Sequence, residues 1–309
     1  MQTTFFEFND FGLISFAGAD AASFLHGQLT SDINALDSGR TQYSGYCSPK
    51  GRLLATLLLW RRDDGILLQL PAELKEMVQS RLSKYVLRAQ VKVAGASARF
   101  VLFGVAGDGA RQKVSALECG VPAEVHAVTS SKGVEVTRLP IERYLILSSA
   151  ERAGEVRTEL ARNAACCDES GWRGLDVEAG IPVVTAESQE KYVPQMVNLD
   201  LIGGVSYTKG CYPGQEIVAR THYLGQQKQR MYRIRVPGTE TLAVGDSLYS
   251  AAFGEQASGA ILYPGALTSD SREALAVIQR RSVEDASVHL NSPEGPRIEL
   301  LTLPYSLPA

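Results

Sequence analysis

The 309-residue chain is 45% hydrophobic and 21% charged, the balance of an ordinary globular protein and not of a disordered or fibrous one. Its formal net charge of -3 gives no bulk sign of nucleic-acid binding, so only local charge can point that way. The five cysteines (Cys47, Cys119, Cys166, Cys167 and Cys211) include no Cys-x-x-Cys spacing and the four histidines are scattered, which argues against a disulfide framework and against a bound metal.

Residues Met1 to Glu7 lack the basic and apolar regions of a secretory signal. The longest apolar run, Leu53 to Trp60, is far short of the ~20 residues that span a bilayer. A cytoplasmic protein with no membrane partner is expected, and the length suggests roughly two domains.

Four segments repeat one pattern: an apolar strand, a few small or polar residues, then an amphipathic helix. The first runs from Gly12–Phe16 to a helix carrying Phe24, Leu25 and Leu29. The second runs from Gly65–Leu70, past Pro71, to a helix whose Leu74, Met77, Val78, Leu82, Tyr85 and Val86 share one face. The third pairs Phe100–Gly104 with a helix at Ala110–Leu117, and the fourth pairs Arg143–Ser148 with a helix at Glu151–Ala164. Strand-like stretches at Leu53–Trp60 and Gln90–Val93 separate the units, and the alternation predicts an α+β body. In Met231–Val236, Arg233 and Arg235 alternate with Tyr232, Ile234 and Val236, the pattern of a half-buried strand. Short glycine-punctuated β segments follow. The predicted division is a body at 1–235 and a small β-barrel domain at 236–309.

Chemistry concentrates in Lys209-Gly-Cys-Tyr-Pro-Gly-Gln-Glu-Ile-Val-Ala-Arg220. Two glycines and a proline around Cys211 describe a constrained turn, and Gln215 to Arg220 reads as a helix start. A helix N-terminus and the nearby Lys209 both favour a thiolate, so Cys211 is the candidate functional thiol. The same residues also suit a small apolar cysteine in a structural turn. Further upstream, Trp172 begins a polar–apolar alternation and offers a flat face to a planar ligand, or else fills the core. Glu178, set among apolar residues, is placed to accept hydrogen bonds from a heterocycle, or else lies on the surface. Between Lys209 and Val236 stand Lys209, Arg220, Lys228, Arg230, Arg233 and Arg235 against the single acid Glu216. That excess suits a polyanion, or marks a solvated strand face. The glycines at 104, 107 and 109 do not fit a phosphate loop, the Cys166-Cys167 pair is ill-suited to clamping a metal, and no Gly-x-Ser-x-Gly elbow occurs.

The Lys209–Arg220 segment resembles the signature of the YgfZ-type folate-binding proteins, relatives of the glycine-cleavage T-protein, an aminomethyltransferase. The resemblance extends to Gly18-Ala-Asp20, Ser48-Pro-Lys-Gly-Arg52, Lys84-Tyr85, Glu178-Ala-Gly-Ile-Pro182, Pro194-Gln195 with Asn198-Leu199, Gly203–Ser206 and Leu303-Pro-Tyr-Ser306. It implies a T-protein-like three-lobed ring with a C-terminal β-barrel. It also implies tetrahydrofolate or a one-carbon derivative as cofactor, held near Phe11, Trp172 and Glu178, with Lys209, Tyr212, Gln215 and Arg220 of the signature segment around it. It further implies support of iron–sulfur cluster assembly or repair and of tRNA modification. Iron–sulfur proteins or assembly factors, and tRNA along the basic Arg220–Arg235 stretch, are the implied partners. Phe11 departs from the tryptophan usual among the nearest relatives. Aminomethyltransferases carry paired aspartates soon after the glycine matching Gly51. Here Ala55 and Thr56 stand in their place, leaving no evident general acid or base. Two other functions stay open: a folate-dependent aminomethyltransferase with rewired groups, and a non-catalytic RNA- or protein-binding scaffold.

Overall fold

In the computed structural model, residues 2–225, 227–238, 241–268, 270–284 and 287–308 are described. The chain divides into two compact units, residues 1–44 with 57–172, and residues 45–56 with 173–309.

All four predicted strand–helix pairs form. They are Phe11–Ala17 with Ala21–His26, Gly65–Pro71 with Ala72–Ser83, Phe100–Ala106 with Ala110–Ser115, and Arg143–Ser149 with Ala153–Ala161. The second helix buries Leu74, Val78 and Leu82, one face at a spacing of four, and starts directly after Pro71. It ends earlier than its apolar pattern suggests. Tyr85 falls beyond the last turn, which closes at Lys84, and is half exposed.

Two sheets carry most of the first unit, the first of them including residues 45–47 and 53–56, which are grouped with the second unit. One runs in the order Thr41–Cys47, Leu53–Arg62, Gly65–Pro71, Phe11–Ala17, Lys92–Gly95. The other runs Ala165–Cys166, Thr4–Glu7, Phe100–Ala106, Arg143–Ser149, Val134–Leu139, Val128–Ser131. Val114, Val156 and Leu160 from two helices pack on Phe103, Val105, Val136 and Ile146 of the second sheet. Trp60 is a core residue, as its apolar setting predicts, and its indole N–H donates to Thr137 Oγ1 at 3.2 Å.

A third sheet forms in the second unit, in the order Val288–Leu290, Ser247–Ser250, Ala257–Leu267, Ser271–Gln279, Gln229–Pro237, Glu299–Leu301. Its edge strands are drawn together where the Ile298 N–H donates to the Val288 carbonyl and the Leu290 N–H to the Pro296 carbonyl, both at 2.9 Å. Ile234 and Val236 enter its core with Leu248, Ile261 and Ile278, as the alternation predicts. Met231, of opposite parity, is also buried, so that end of the strand is covered on both faces. The predicted domain boundary at 235/236 lies inside the Gln229–Pro237 strand.

Candidate functional site

Cys211 lies on an exposed stretch that ends in a helix at Gln215–Tyr223, where the sequence places one. The turn is fixed by backbone packing. Gly214 has φ +81°, and a Cβ there would stand 2.5 Å from the Cα and N of Gly51 and from the Ser48 carbonyl oxygen. Gly51 has φ +69°, and its own Cβ would meet Ile217 Cβ at 2.9 Å and the Gly214 carbonyl oxygen at 3.0 Å. The Ser48-Pro-Lys-Gly-Arg52 turn, closed by Gly51 N–H donating to Ser48 O at 2.9 Å, therefore lies directly against the cysteine turn. Two glycines far apart in sequence permit this approach, because any side chain would separate the backbones.

Around the thiol, Tyr212 is buried and the Lys209 ammonium lies 4.9 Å from the centre of its ring. Burial pushes the Tyr212 hydroxyl well above the usual phenol range, so it stays neutral. Cys47 is buried and its thiol is pushed up to about 12, which keeps it protonated and inert. Gln215 opens the helix with its N–H on the Tyr212 carbonyl at 3.1 Å, and Arg220 is exposed in its last turn.

Gly214→Ala is expected to cost at least about 1–3 kcal/mol from the left-handed backbone alone, before any clash is relieved. The denaturation midpoint should fall and the rate of Cys211 alkylation should change. A variant matching wild type in both would show that the two turns are not locked together.

The two aromatic residues are brought together in the first unit by a third, Phe8, which the sequence reading passed over. Phe8 lies edge-on to Phe11 at 5.2 Å and edge-on to Trp172 at 5.0 Å between ring centres. Glu169 fixes the Asn9-Asp10-Phe11 bend by accepting from the N–H groups of Asn9 at 2.5 Å and Asp10 at 3.1 Å. Trp172 itself is only 3% exposed. Phe6 meets it edge-on, the Arg143 guanidinium sits 4.5 Å from its ring centre, and a Cβ on Gly104 would come within 2.6 Å of it. A sequence signal for Arg143 was present: a cation placed directly before the apolar run 144–147 of the strand Arg143–Ser149.

Glu178 ends the helix Glu169–Glu178, and a Schellman closure holds it there. Gly180, at φ +65°, donates to the Val177 carbonyl and Ile181 to the Asp176 carbonyl. Tyr305 then caps the turn, its hydroxyl donating to Gly180 O at 2.7 Å. Two family-like segments, Glu178–Pro182 and Leu303–Ser306, thus meet. Glu178 is half-buried with no ion-pair or hydrogen-bond partner among the described residues, and a carboxylate at a helix C-terminus is opposed by the helix dipole. Local stability does not account for an acid at this position.

At the positions of the missing aspartates, Ala55 is fully buried and Thr56 Oγ1 accepts the Val184 N–H at 3.1 Å. Both positions serve packing and backbone satisfaction.

The basic stretch needs correction. Arg230 is buried and forks onto Asp200 at 2.8 and 3.1 Å, with a further bond to the Gln195 carbonyl at 2.7 Å. Arg233 pairs with Glu273, and Arg235 with Glu273 and Glu299. The acids come from two other strands and, for Asp200, from a turn, so the Arg220–Arg235 stretch does not present a continuous basic face. Of its cations, Arg220 and Lys228 remain exposed without an ion-pair partner among the described residues. No group of three His, Cys, Asp or Glu side chains among the described residues is placed to hold a metal, and no helix among them is long and apolar enough to cross a membrane.

Comparison with known proteins agrees with this architecture. Residues 1–142 match the family model for the GCVT N-terminal domain. The chain superposes on the glycine cleavage system aminomethyltransferase T from Bartonella henselae with a TM-score of 0.79 at 17% identity, covering 98% of this chain and 86% of that one. The tRNA-modifying protein YgfZ of Yersinia pseudotuberculosis serotype O:1b (strain IP 31758) is 30% identical over 99% of this chain and 94% of its own length. The protein of the same name from Yersinia enterocolitica serotype O:8 / biotype 1B (strain NCTC 13174 / 8081) is 29% identical over the same shares. With the glycine-locked cysteine turn, a T-protein-like fold and 30% identity along essentially its whole length, the chain belongs to the YgfZ family.

Proposed function

We propose that this chain binds tetrahydrofolate or a one-carbon derivative and supports iron–sulfur cluster assembly or repair, and through cluster enzymes tRNA modification. Cys211 is its working thiol. The observation that carries the reading is an accessible cysteine on a turn whose backbone is locked by Gly51 against Gly214. Exposure alone does not single it out, since Cys166 and Cys167 are exposed too; the glycine-locked turn does.

The residues present suit a reduced folate. Glu178 is a half-buried carboxylate lacking a partner among the described residues, and a pterin ring offers N–H donors to such an acceptor. Phe11 stays assigned to the pterin as aromatic surface, with the buried Trp172 backing it through Phe8, and Lys209 and Arg220 to its carboxylates, with Tyr212 and Gln215 shaping the turn. When bound, the folate would supply a one-carbon carrier. Aminomethyl transfer is the weaker reading, since Ala55 and Thr56 offer no carboxylate. The closing of the third sheet between Val288 and Ile298 supports reading it as the small C-terminal barrel.

The test pairs a binding assay with a cellular one. Cys211→Ser is expected to keep wild-type tetrahydrofolate affinity by calorimetry and to lose the ability to restore an iron–sulfur tRNA-modifying enzyme in cells lacking the native protein. Full restoration by Cys211→Ser would overturn the thiol assignment. A well-folded wild type that binds no tetrahydrofolate would overturn the folate assignment.

A further inference from the structure

The second unit holds a groove of about 1040 Å³ whose walls include His222, Lys228, Arg230, Arg280 and Arg281. Asp200 is the one carboxylate among its lining residues, and it is taken up by Arg230. Lys228, Arg280 and Arg281 therefore set the field of the groove. Arg280 and Arg281 lie far along the chain from the basic stretch and did not figure in the sequence reading.

Sheet register creates this cluster. Gln229 pairs with Gln279, and one step further the Arg280 N–H donates to the Lys228 carbonyl at 2.8 Å. Lys228 and Arg280 thus stand opposite each other across two antiparallel strands. Like charges in that relation repel, and the hydrogen bond between Arg280 and the Tyr232 side chain helps to hold the guanidinium there. The Arg280 guanidinium is steered by a bond to the Pro308 carbonyl, while Lys228 and Arg281 are exposed.

Beside the cations lies an aromatic stack. Tyr207 and His222 are 3.7 Å apart between ring centres at 12°, and Tyr223 meets His222 edge-on at 4.7 Å. His222 lines the groove, and Tyr223 is 64% exposed. An exposed tyrosine beside a stacked pair offers flat surface that a carboxylate chain does not use. Cations tracking a backbone with stacking rings beside them are the combination that holds single-stranded nucleic acid. The groove's size is at the top of the ~300–1,000 Å³ typical of small-molecule pockets, which suits a run of nucleotides better than one isolated anion.

We propose that this groove binds single-stranded RNA, with Lys228, Arg280 and Arg281 on phosphates and the His222–Tyr223 rings against bases. This gives the partner side of the function proposed above a location and is independent of folate.

The probe is a fluorescein-labelled 12-nucleotide oligouridine RNA, titrated with the full chain by anisotropy between 50 and 200 mM salt, conditions chosen on the order of those that resolve phosphate contacts. Three phosphate contacts predict a log–log salt slope of about -2, from about -0.7 per contact on a single strand. Lys228→Gln with Arg281→Gln should flatten the slope by about 1.4 and weaken binding at low salt about tenfold or more. His222→Ala should weaken binding about tenfold with the slope unchanged, because stacking releases no counterions. Circular dichroism and a titration with monoglutamyl tetrahydrofolate accompany each variant. Unchanged folate affinity there separates a failure of this proposal from a failure of the folate reading. No RNA binding by wild type at low salt, or a double variant with wild-type affinity and slope, would overturn it. Binding of penta-γ-glutamate that the double variant abolishes, without RNA binding, would overturn it in favour of a polycarboxylate tail.

Discussion

Arg230→Ala is expected to destabilise the second unit by about 3–5 kcal/mol, the cost of stranding a buried charge. Asp200 and Arg230 have side chains only 8% and 6% exposed, and the guanidinium supplies both bonds to that carboxylate. The same guanidinium also holds the Gln195 carbonyl, so its loss leaves a second buried acceptor without that donor. Next to it, Asn198 adopts a left-handed backbone at φ +59° and donates to the Met231 carbonyl at 2.8 Å. Denaturant unfolding should therefore show a large drop in midpoint for the single variant. Replacing both partners, as Arg230→Met with Asp200→Leu, should recover much of the loss, since no charge is then left unpaired. A single variant within about 1 kcal/mol of wild type would mean that water compensates Asp200 in solution.

Trp172→Ala is expected to cost about 3–5 kcal/mol, as large-to-small changes of buried aromatics do. The indole has the edges of Phe6 and Phe8 against it, Arg143 over its ring and Gly104 in close approach. Removing it opens a cavity and takes the ring from beneath a fully buried guanidinium. Loss of folate binding in this variant would thus report unfolding as readily as a lost ligand contact. Trp172→Phe keeps an aromatic ring and should fold. Its tetrahydrofolate affinity, set beside its own unfolding midpoint, measures what the indole gives the ligand. If Trp172→Ala unfolds at the wild-type midpoint, the ring is not a core element and the alanine variant becomes the cleaner ligand test.

The two variants probe features that were unequally legible in the sequence. The strand–helix pairs are local, and Leu74, Val78 and Leu82 declare their shared face within one short stretch. The cysteine turn is local too, since glycine and proline restrict the backbone wherever they occur, and the helix after it begins at Gln215 as read. Tyr85 continues the apolar spacing of the helix, but the chain has already left the helix at Lys84.

The sequence by itself determined the α+β class, the family and the position of the one thiol set in a rigid turn, because periodicity and turn chemistry act between neighbours. Tertiary structure alone decided that Gly51 would be the surface against which Gly214 locks. It also decided that Trp172 would be enclosed by Phe8 and Arg143. It removed the apparent basic face by setting Asp200, Glu273 and Glu299 against Arg230, Arg233 and Arg235, and placed Lys228 instead beside Arg280 and Arg281. The physical reason is that a charge is cancelled, and a ring covered, by whatever the fold brings within a few ångströms. Those partners come from other strands, helices and turns, at separations that a local pattern cannot register.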